Sequence, residues 1–126
     1  MTATKCLFCD WASRELVKEN RLAAAFRDAF PVSEGHTLIV PKRHAATFLD
    51  LTEEERAAVF ALACACAEAL RAADPSVTGF NFGANAGASA GQTVFHCHFH
   101  LIPRRDGDHP HPRGGVRAVI PGKADY

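Results

Sequence analysis

Thr93-Val94-Phe95-His96-Cys97-His98-Phe99-His100-Leu101-Ile102-Pro103 places three histidines at alternate positions. In an α-helix His96 and His100 would share a face and His98 would turn away, whereas the two-residue period of a strand sets all three on one side. Phe95, Cys97, Phe99 and Leu101 then fill the other side. β-branched Thr93 and Val94 lead into the alternation and Pro103 closes it, so the segment reads as a strand. Its imidazoles would follow one another at roughly 6.6 Å. Apolar residues would serve a buried face better, and mixed charges and amides an exposed one, so the row points to chemistry. Two kinds remain open: zinc held by imidazoles, or a nucleophilic histidine supported by its neighbours.

The residues just before this row support chemistry on a phosphate. Gly83 to Gly91 holds three Gly and four Ala and runs directly into the histidines. Glycine lets backbone approach a ligand closely, and the amides of such a loop can bind phosphate oxygens. Asn85, Gln92 and Thr93 add side-chain donors, making a cradle for an anion with no net charge of its own.

Further out, the chain alternates strands with one long helix. Leu16–Val17 and Leu22–Phe26 flank polar Lys18–Arg21 as the arms of a hairpin, and Phe30-Pro31 with Ser33-Glu34-Gly35 marks a turn. His36–Val40 is β-branched and apolar and stops at Pro41, the pattern of a buried strand. Thr52 with Glu55 forms a capping box, and an Ala-rich helix runs from there to Arg71 before Asp74-Pro75. Val59, Leu62, Cys66 and Ala69 make one apolar stripe; Phe60, Cys64 and Ala67 make a second beside it. One stripe can cover a sheet and the other a second copy of the chain. Val77–Phe82 reads as another strand, and 104–126, with three Pro and four Gly, as an irregular tail over the surface.

Composition narrows the classes. With 126 residues the chain suits a single domain with one core. Lys plus Arg equals Asp plus Glu at 14 each, so bulk charge does not draw it to nucleic acid. A mean hydropathy of −0.07 and 22% charged residues indicate a folded globular domain. Lys5, Asp10 and Arg14 interrupt any signal-peptide core or spanning helix near the start, and the chain is expected in the cytoplasm. Five cysteines, an odd number, argue against a disulfide framework. Cys6-x-x-Cys9 is then a metal or redox pair, or simply two reduced thiols.

The sequence resembles the histidine triad (HIT) family of nucleotide hydrolases and transferases. The family pattern His-φ-His-φ-His-φ-φ, with φ apolar, is met at every position by His96-Cys97-His98-Phe99-His100-Leu101-Ile102. Asn85-x-Gly87-x-x-Ala90-Gly91-Gln92-Thr93-Val94 resembles the family's phosphate loop, and Gly35–Lys42 its central strand. The resemblance covers roughly residues 6 to 104. It implies an α+β fold, an antiparallel sheet of about five strands with one main helix, paired about a two-fold axis into a homodimer. It also implies cleavage at the α-phosphate of a nucleotide through a nucleotidyl-histidine intermediate, with no organic cofactor.

On that resemblance His98 is the nucleophile, and His100 contacts the phosphate or assists the leaving group. Asn85, Gln92, Thr93 and the amides near Gly91 would hold the non-bridging oxygens. Asp28 would accept from the ribose hydroxyls, and Leu7, Phe8 and Phe26 would sandwich the base. Some members of the family carry structural zinc on two Cys and two His, and Cys6, Cys9, His44 and His96 stand in those places. Expected substrates are purine nucleoside phosphoramidates, dinucleoside polyphosphates or related adenylated compounds. Two other readings remain: a nucleotide-binding scaffold without turnover, and a metalloenzyme with zinc on the three triad histidines.

Overall fold

The computed structural model describes residues 6–126. The strands are β1 (Lys18–Glu19), β2 (Ala23–Arg27), β3 (Thr37–Pro41), β4 (Val77–Ala84) and β5 (Phe99–Arg105), with one long helix, α1 (Glu53–Ala73), between β3 and β4. They form one five-stranded antiparallel sheet in the order β1-β2-β3-β5-β4. This is the α+β architecture expected, an antiparallel sheet with one main helix.

The hairpin between β1 and β2 is set by Asn20, whose side-chain oxygen accepts from the amides of Leu22 (3.1 Å) and Ala23 (2.9 Å). Its Nδ2 donates to the Ala58 carbonyl on α1 at 2.8 Å, tying turn to helix. Three consecutive alanines, Ala23–Ala25, are fully buried in β2, and their small side chains let covering layers approach both faces of the sheet. On one face Ala23, Ala25, Ile39 and Leu101 pack against Val59, Leu62, Cys66 and Leu70 of α1. On the other Ala24, Phe26, Leu38 and Val40 pack with Phe8, Trp11 and Leu16 of the N-terminal segment.

Helix α1 begins as the capping box requires: Thr52 Oγ1 accepts from Glu55 N at 3.1 Å, and Glu55 Oε1 accepts from Thr52 N at 2.9 Å. Val59, Leu62 and Cys66 of the first apolar stripe are buried and Ala69 is exposed, whereas Phe60 and Cys64 of the second are exposed, the Phe60 ring meeting that of Phe82 on β4. Gly35 makes the turn into β3 at φ +94°, and a Cβ there would stand 2.9 Å from Leu70 Cδ2.

The histidine row departs from the expected strand. Pairing starts only at Phe99, opposite Ile39, and residues 93–98 are a bent segment. The reason is competition for backbone partners: Cys97 N donates to Ala45 O, outside the sheet, and the Pro41 carbonyl accepts from the His96 ring. The strand also continues past Pro103 to Arg105, so the tail starts at Asp106 rather than Arg104. Pro103 is tolerated because β5 has there run beyond the end of β3, and its carbonyl accepts from Ser33 Oγ at 2.7 Å. The tail folds into one short 3-10 turn, Gly115–Val119. No helix among the described residues is long and apolar enough to cross a membrane.

Candidate active site

Each triad histidine has one ring nitrogen tied to a different partner, and those ties fix what the other nitrogen can do. His96 is fully buried and donates from Nε2 to the Pro41 carbonyl at 2.8 Å. Its Nδ1 lone pair is therefore free. His98 donates from Nδ1 to the His96 carbonyl at 2.8 Å, since a carbonyl can only accept. In the neutral ring this puts the lone pair on Nε2, at the end of a nine-tenths buried side chain.

His100 is fixed from further away. The Val32 backbone amide donates to His36 Nδ1 at 3.0 Å, so the His36 proton sits on Nε2. His36 Nε2 lies 2.9 Å from His100 Nδ1 and donates to it, which places the His100 proton on Nε2. Asp28 Oδ2 stands 3.4 Å from His36 Nε2 and 3.9 Å from His100 Nδ1, and Asp28 Oδ1 accepts from Phe30 N at 2.8 Å. Burial pushes the pKa of His36 down, with Asp28 opposing. Burial first, then the neighbouring His98 and His36, does the same to His100, again against Asp28. Both rings are held neutral near pH 7, one donating to the next.

Phe8 is the aromatic wall of the nucleophile: its ring meets His98 edge to face with centroids 4.9 Å apart, and meets Phe26 at 5.6 Å. Phe8 and Phe26 are buried, whereas Leu7 is 57% exposed. Asn85 and Thr93 are exposed on the loop beside the triad. Gly91, at φ +93°, backs onto Asn85, its Cβ position being 3.8 Å from Asn85 Nδ2.

Gln92 does a different task from the phosphate contact expected of it. It is buried, its Nε2 donates to the carbonyls of Ala46 (2.6 Å) and Val94 (3.1 Å), and its Oε1 accepts from Gly87 N (2.8 Å). The side chain braces the loop from inside.

The sequence reading did not single out His36 for the site, although it lies in the Gly35–Lys42 stretch. It does mark the tail, where Val116, Val119 and Ile120 suit a stretch that docks against an apolar surface. A cavity of about 590 Å³ has Asp28, His36, His100 and Asn85 in its wall, together with Val116 and Val119 of the 3-10 turn.

A second cluster joins the start of the chain to the triad. Cys9 Sγ lies 3.2 Å from His44 Nδ1 and 3.5 Å from His96 Nδ1, and Cys6 Sγ lies 3.4 Å from His96 Nδ1. All four ligand atoms are within 4.8 Å of one another. Sulfur–nitrogen separations near 3.5 Å suit a tetrahedral centre with bonds of about 2.3 Å to sulfur and 2.0 Å to nitrogen. His96 meets the remaining requirement, because its Nε2–H on Pro41 O orients the ring and keeps Nδ1 unprotonated. Asp28, His36 and His100 are equally close, but His36 Nε2 carries a proton and cannot ligate. The three triad rings therefore do not converge on one ion: His96 faces the cysteines, His98 its own backbone and His100 His36.

A family model described as the HIT domain matches residues 12–107. An uncharacterized HIT-like protein of Mycoplasma genitalium is 44% identical over 108 residues, 82% of this chain and 75% of that one. Adenosine 5'-monophosphoramidase of Saccharomyces cerevisiae is 36% identical over 105 residues, 80% of this chain and 63% of its own length. A crystal structure of a zinc-bound histidine triad family protein from Mycobacterium smegmatis superposes with a TM-score of 0.75 at 36% identity, covering 82% of this chain and 77% of that one. The sheet order, the His96–His98–His100 row and a match across most of the chain thus agree, and the protein belongs to the histidine triad family.

Proposed function

We propose that this chain is a nucleotide hydrolase or nucleotidyl transferase that cleaves at the α-phosphate of a purine nucleoside phosphoramidate or dinucleoside polyphosphate. The observation that carries the reading is the His98 ring, whose Nδ1–H is committed to the His96 carbonyl and whose Nε2 lone pair is free. In the first step Nε2 of His98 bonds to the α-phosphorus and the bond from phosphorus to the leaving nitrogen or oxygen breaks, with His100 Nε2–H hydrogen-bonded to the leaving atom while solvent supplies the proton that atom needs. His36 Nε2–H, hydrogen-bonded to His100 Nδ1 with Asp28 beside it, keeps the His100 ring oriented for that contact. In the second step water attacks phosphorus, the bond from phosphorus to His98 Nε2 breaks, the water's proton returns to solvent, and the nucleotide leaves His98 free. Relatedness to an adenosine 5'-monophosphoramidase at 36% identity supports this chemistry.

Asn85, Thr93 and the amides near Gly91 bind the non-bridging oxygens, and Gln92 holds their loop in shape. Asp28 Oδ2, beyond hydrogen-bonding distance of His100, is the acceptor for the ribose hydroxyls. Leu7, Phe8 and Phe26 form the apolar side on which the base rests. Cys6, Cys9, His44 and His96 hold structural zinc, which, when bound, anchors the N-terminal segment to the residue preceding the nucleophile by two. The exposed second stripe of α1 with edge strand β4 is the face by which two copies pair. Reduced cysteines and balanced charge suit a cytoplasmic enzyme acting on small molecules, not on nucleic acid.

The test is a panel of adenosine phosphoramidate, a dinucleoside polyphosphate and adenylated lysine, assayed with the unaltered chain and His98→Asn. Turnover lost in the variant, with nucleotide binding kept and a nucleotide adduct trapped on His98 by rapid neutral quenching, is the expected result. An adduct on another residue, or identical behaviour of both forms, overturns it.

A further inference from the structure

The cavity that holds His100 in its wall is apolar over much of its remaining surface, where Phe30, Val32, Phe82, Ile102, Val116 and Val119 line it. Phe30, Val32, Val116 and Val119 are also exposed, so four large apolar side chains surround one opening, a cluster suited to a ligand that covers them. Specific contacts hold the two valines there. Gly115, beside Val116, has its Cβ position 3.2 Å from Asn81 Nδ2 of β4, and Asn81 Oδ1 accepts from Arg104 Nη1 at 2.6 Å, which sets the 3-10 turn against the sheet. Gly114, at φ +92°, lies so close to the Ala124 carbonyl that a side chain there would collide with it, and Arg117 Nε donates to Lys123 O at 3.0 Å. The tail thereby closes on itself around the turn. Among the described residues the lining includes the Asp28 carboxylate and no Lys or Arg.

We propose that this cavity receives the leaving group and selects an amine bearing a bulky apolar substituent, so that the substrate is a nucleoside phosphoramidate of an apolar amine and not a dinucleoside polyphosphate. The proposal deepens the catalytic reading of the site and rests on it. Displacement at phosphorus runs in line, so the leaving atom lies on the side of phosphorus away from His98 Nε2, where His100 Nε2–H meets it. His100 lines the cavity and His98 does not, so the substituent on the leaving atom enters the cavity. Charge then separates the two substrate classes. A departing nucleoside polyphosphate brings several negative charges to a wall whose charged group is the Asp28 carboxylate, with no Lys or Arg to offset them. An amine, once the P–N bond breaks, takes up protons from solvent and leaves as an ammonium ion, which that carboxylate attracts. Its apolar substituent covers Phe82, Val116 and Val119, and the apolar surface removed from water there favours it over an unsubstituted amine.

The test compares adenosine phosphoramidate, its N-phenethyl derivative and diadenosine tetraphosphate, by kcat/KM with the unaltered chain and by affinity for His98→Asn in calorimetry. The N-phenethyl compound is expected to exceed both others by at least about tenfold in each measurement. Val116→Asn brings the ratio of the two phosphoramidates to within about threefold. Val119→Lys, which puts a cation in the wall, raises the tetraphosphate relative to the N-phenethyl compound by about tenfold. Both positions are exposed, and thermal melting checks both folds. Tetraphosphate cleaved as well as the N-phenethyl compound, equal use of the two phosphoramidates, or ratios unchanged in both variants overturns the proposal. So do variants that weaken AMP binding and leave the ratios alone, which would give the cavity to the nucleoside, or that weaken self-association alone in sedimentation, which would give it to a second copy. The two readings fail separately. Preferential binding by His98→Asn without turnover by the unaltered chain defeats the catalytic reading alone, and equal kcat/KM on every substrate defeats the leaving-group preference alone.

Discussion

His36 Nε2 and His100 Nδ1 are 2.9 Å apart although 64 positions separate them in the chain. The Val32 amide on His36 Nδ1 gives this pair a direction, with the proton of His36 shared toward His100 and the proton of His100 pointing outward into the site. Replacing His36 by Leu is expected to lower kcat by about tenfold or more, most strongly for substrates whose leaving group needs a proton. Steady-state kinetics over a series of leaving groups checks this. A loss of equal size for every leaving group would sink the role of His36 in orienting His100.

The same pair makes stability depend on pH. Burial holds the pKa of His36 and of His100 below the ordinary value, so in the folded chain they resist protonation. The unfolded chain takes up those protons first, near pH 6.5, so stability is expected to fall as pH drops from about 7.5 through 6.5 toward the folded values. Urea titrations at pH 7.5 and 5.5 should show a smaller loss in His36→Gln than in the unaltered chain. A loss of the same size in both would remove His36 from the account.

Glu55 acts in the opposite direction. Hydrogen bonds from Arg43 Nε and Nη2 (3.0 and 2.8 Å), aided by the Thr52 amide and opposed by burial, hold its carboxyl at about 2. Its contribution is complete above pH 4.5 and is lost as pH falls toward about 2. Because Arg43 is half exposed, Glu55→Gln is expected to cost roughly 1–3 kcal/mol, less than the shift alone would give. A double-mutant cycle with Arg43→Ala measures the pair, and strict additivity would show that the two do not interact.

If zinc occupies the Cys6, Cys9, His44 and His96 cluster, chelation should lower the unfolding temperature before it lowers activity, because the ligands brace the chain around the triad and do not face the phosphate. Acid should release the ion as the ligands protonate. Elemental analysis showing well under one zinc per chain, with the melting temperature of Cys6→Ser unchanged, would rule this out while leaving His98 in its role.

Much of the fold was legible in local sequence. The capping box at Thr52 and Glu55, the Val59–Leu62–Cys66 stripe and the apolar run before Pro41 each rest on interactions within a few residues, and each forms as read. Histidine alternation also marked the site. It overstated the strand, because His96 and Cys97 leave the ladder for Pro41 and Ala45, partners 55 and 52 positions away. Gln92 was misjudged for a similar reason: its residue type suits a phosphate, yet the Ala46 and Gly87 backbone groups claim it first.

By itself, then, the sequence determined the helix and its caps, the strand-forming stretches and the family, since these depend on periodicity and on residues close along the chain. Only the tertiary structure decided which nitrogen of each histidine is free, because a tautomer follows from the partner on the opposite side of the ring. Those partners are a carbonyl two residues away for His98, the Pro41 carbonyl for His96, and for His100 a histidine that is itself oriented by the Val32 amide. The same holds for Val116, which shares a cavity wall with Asp28, 88 positions before it, and with His100.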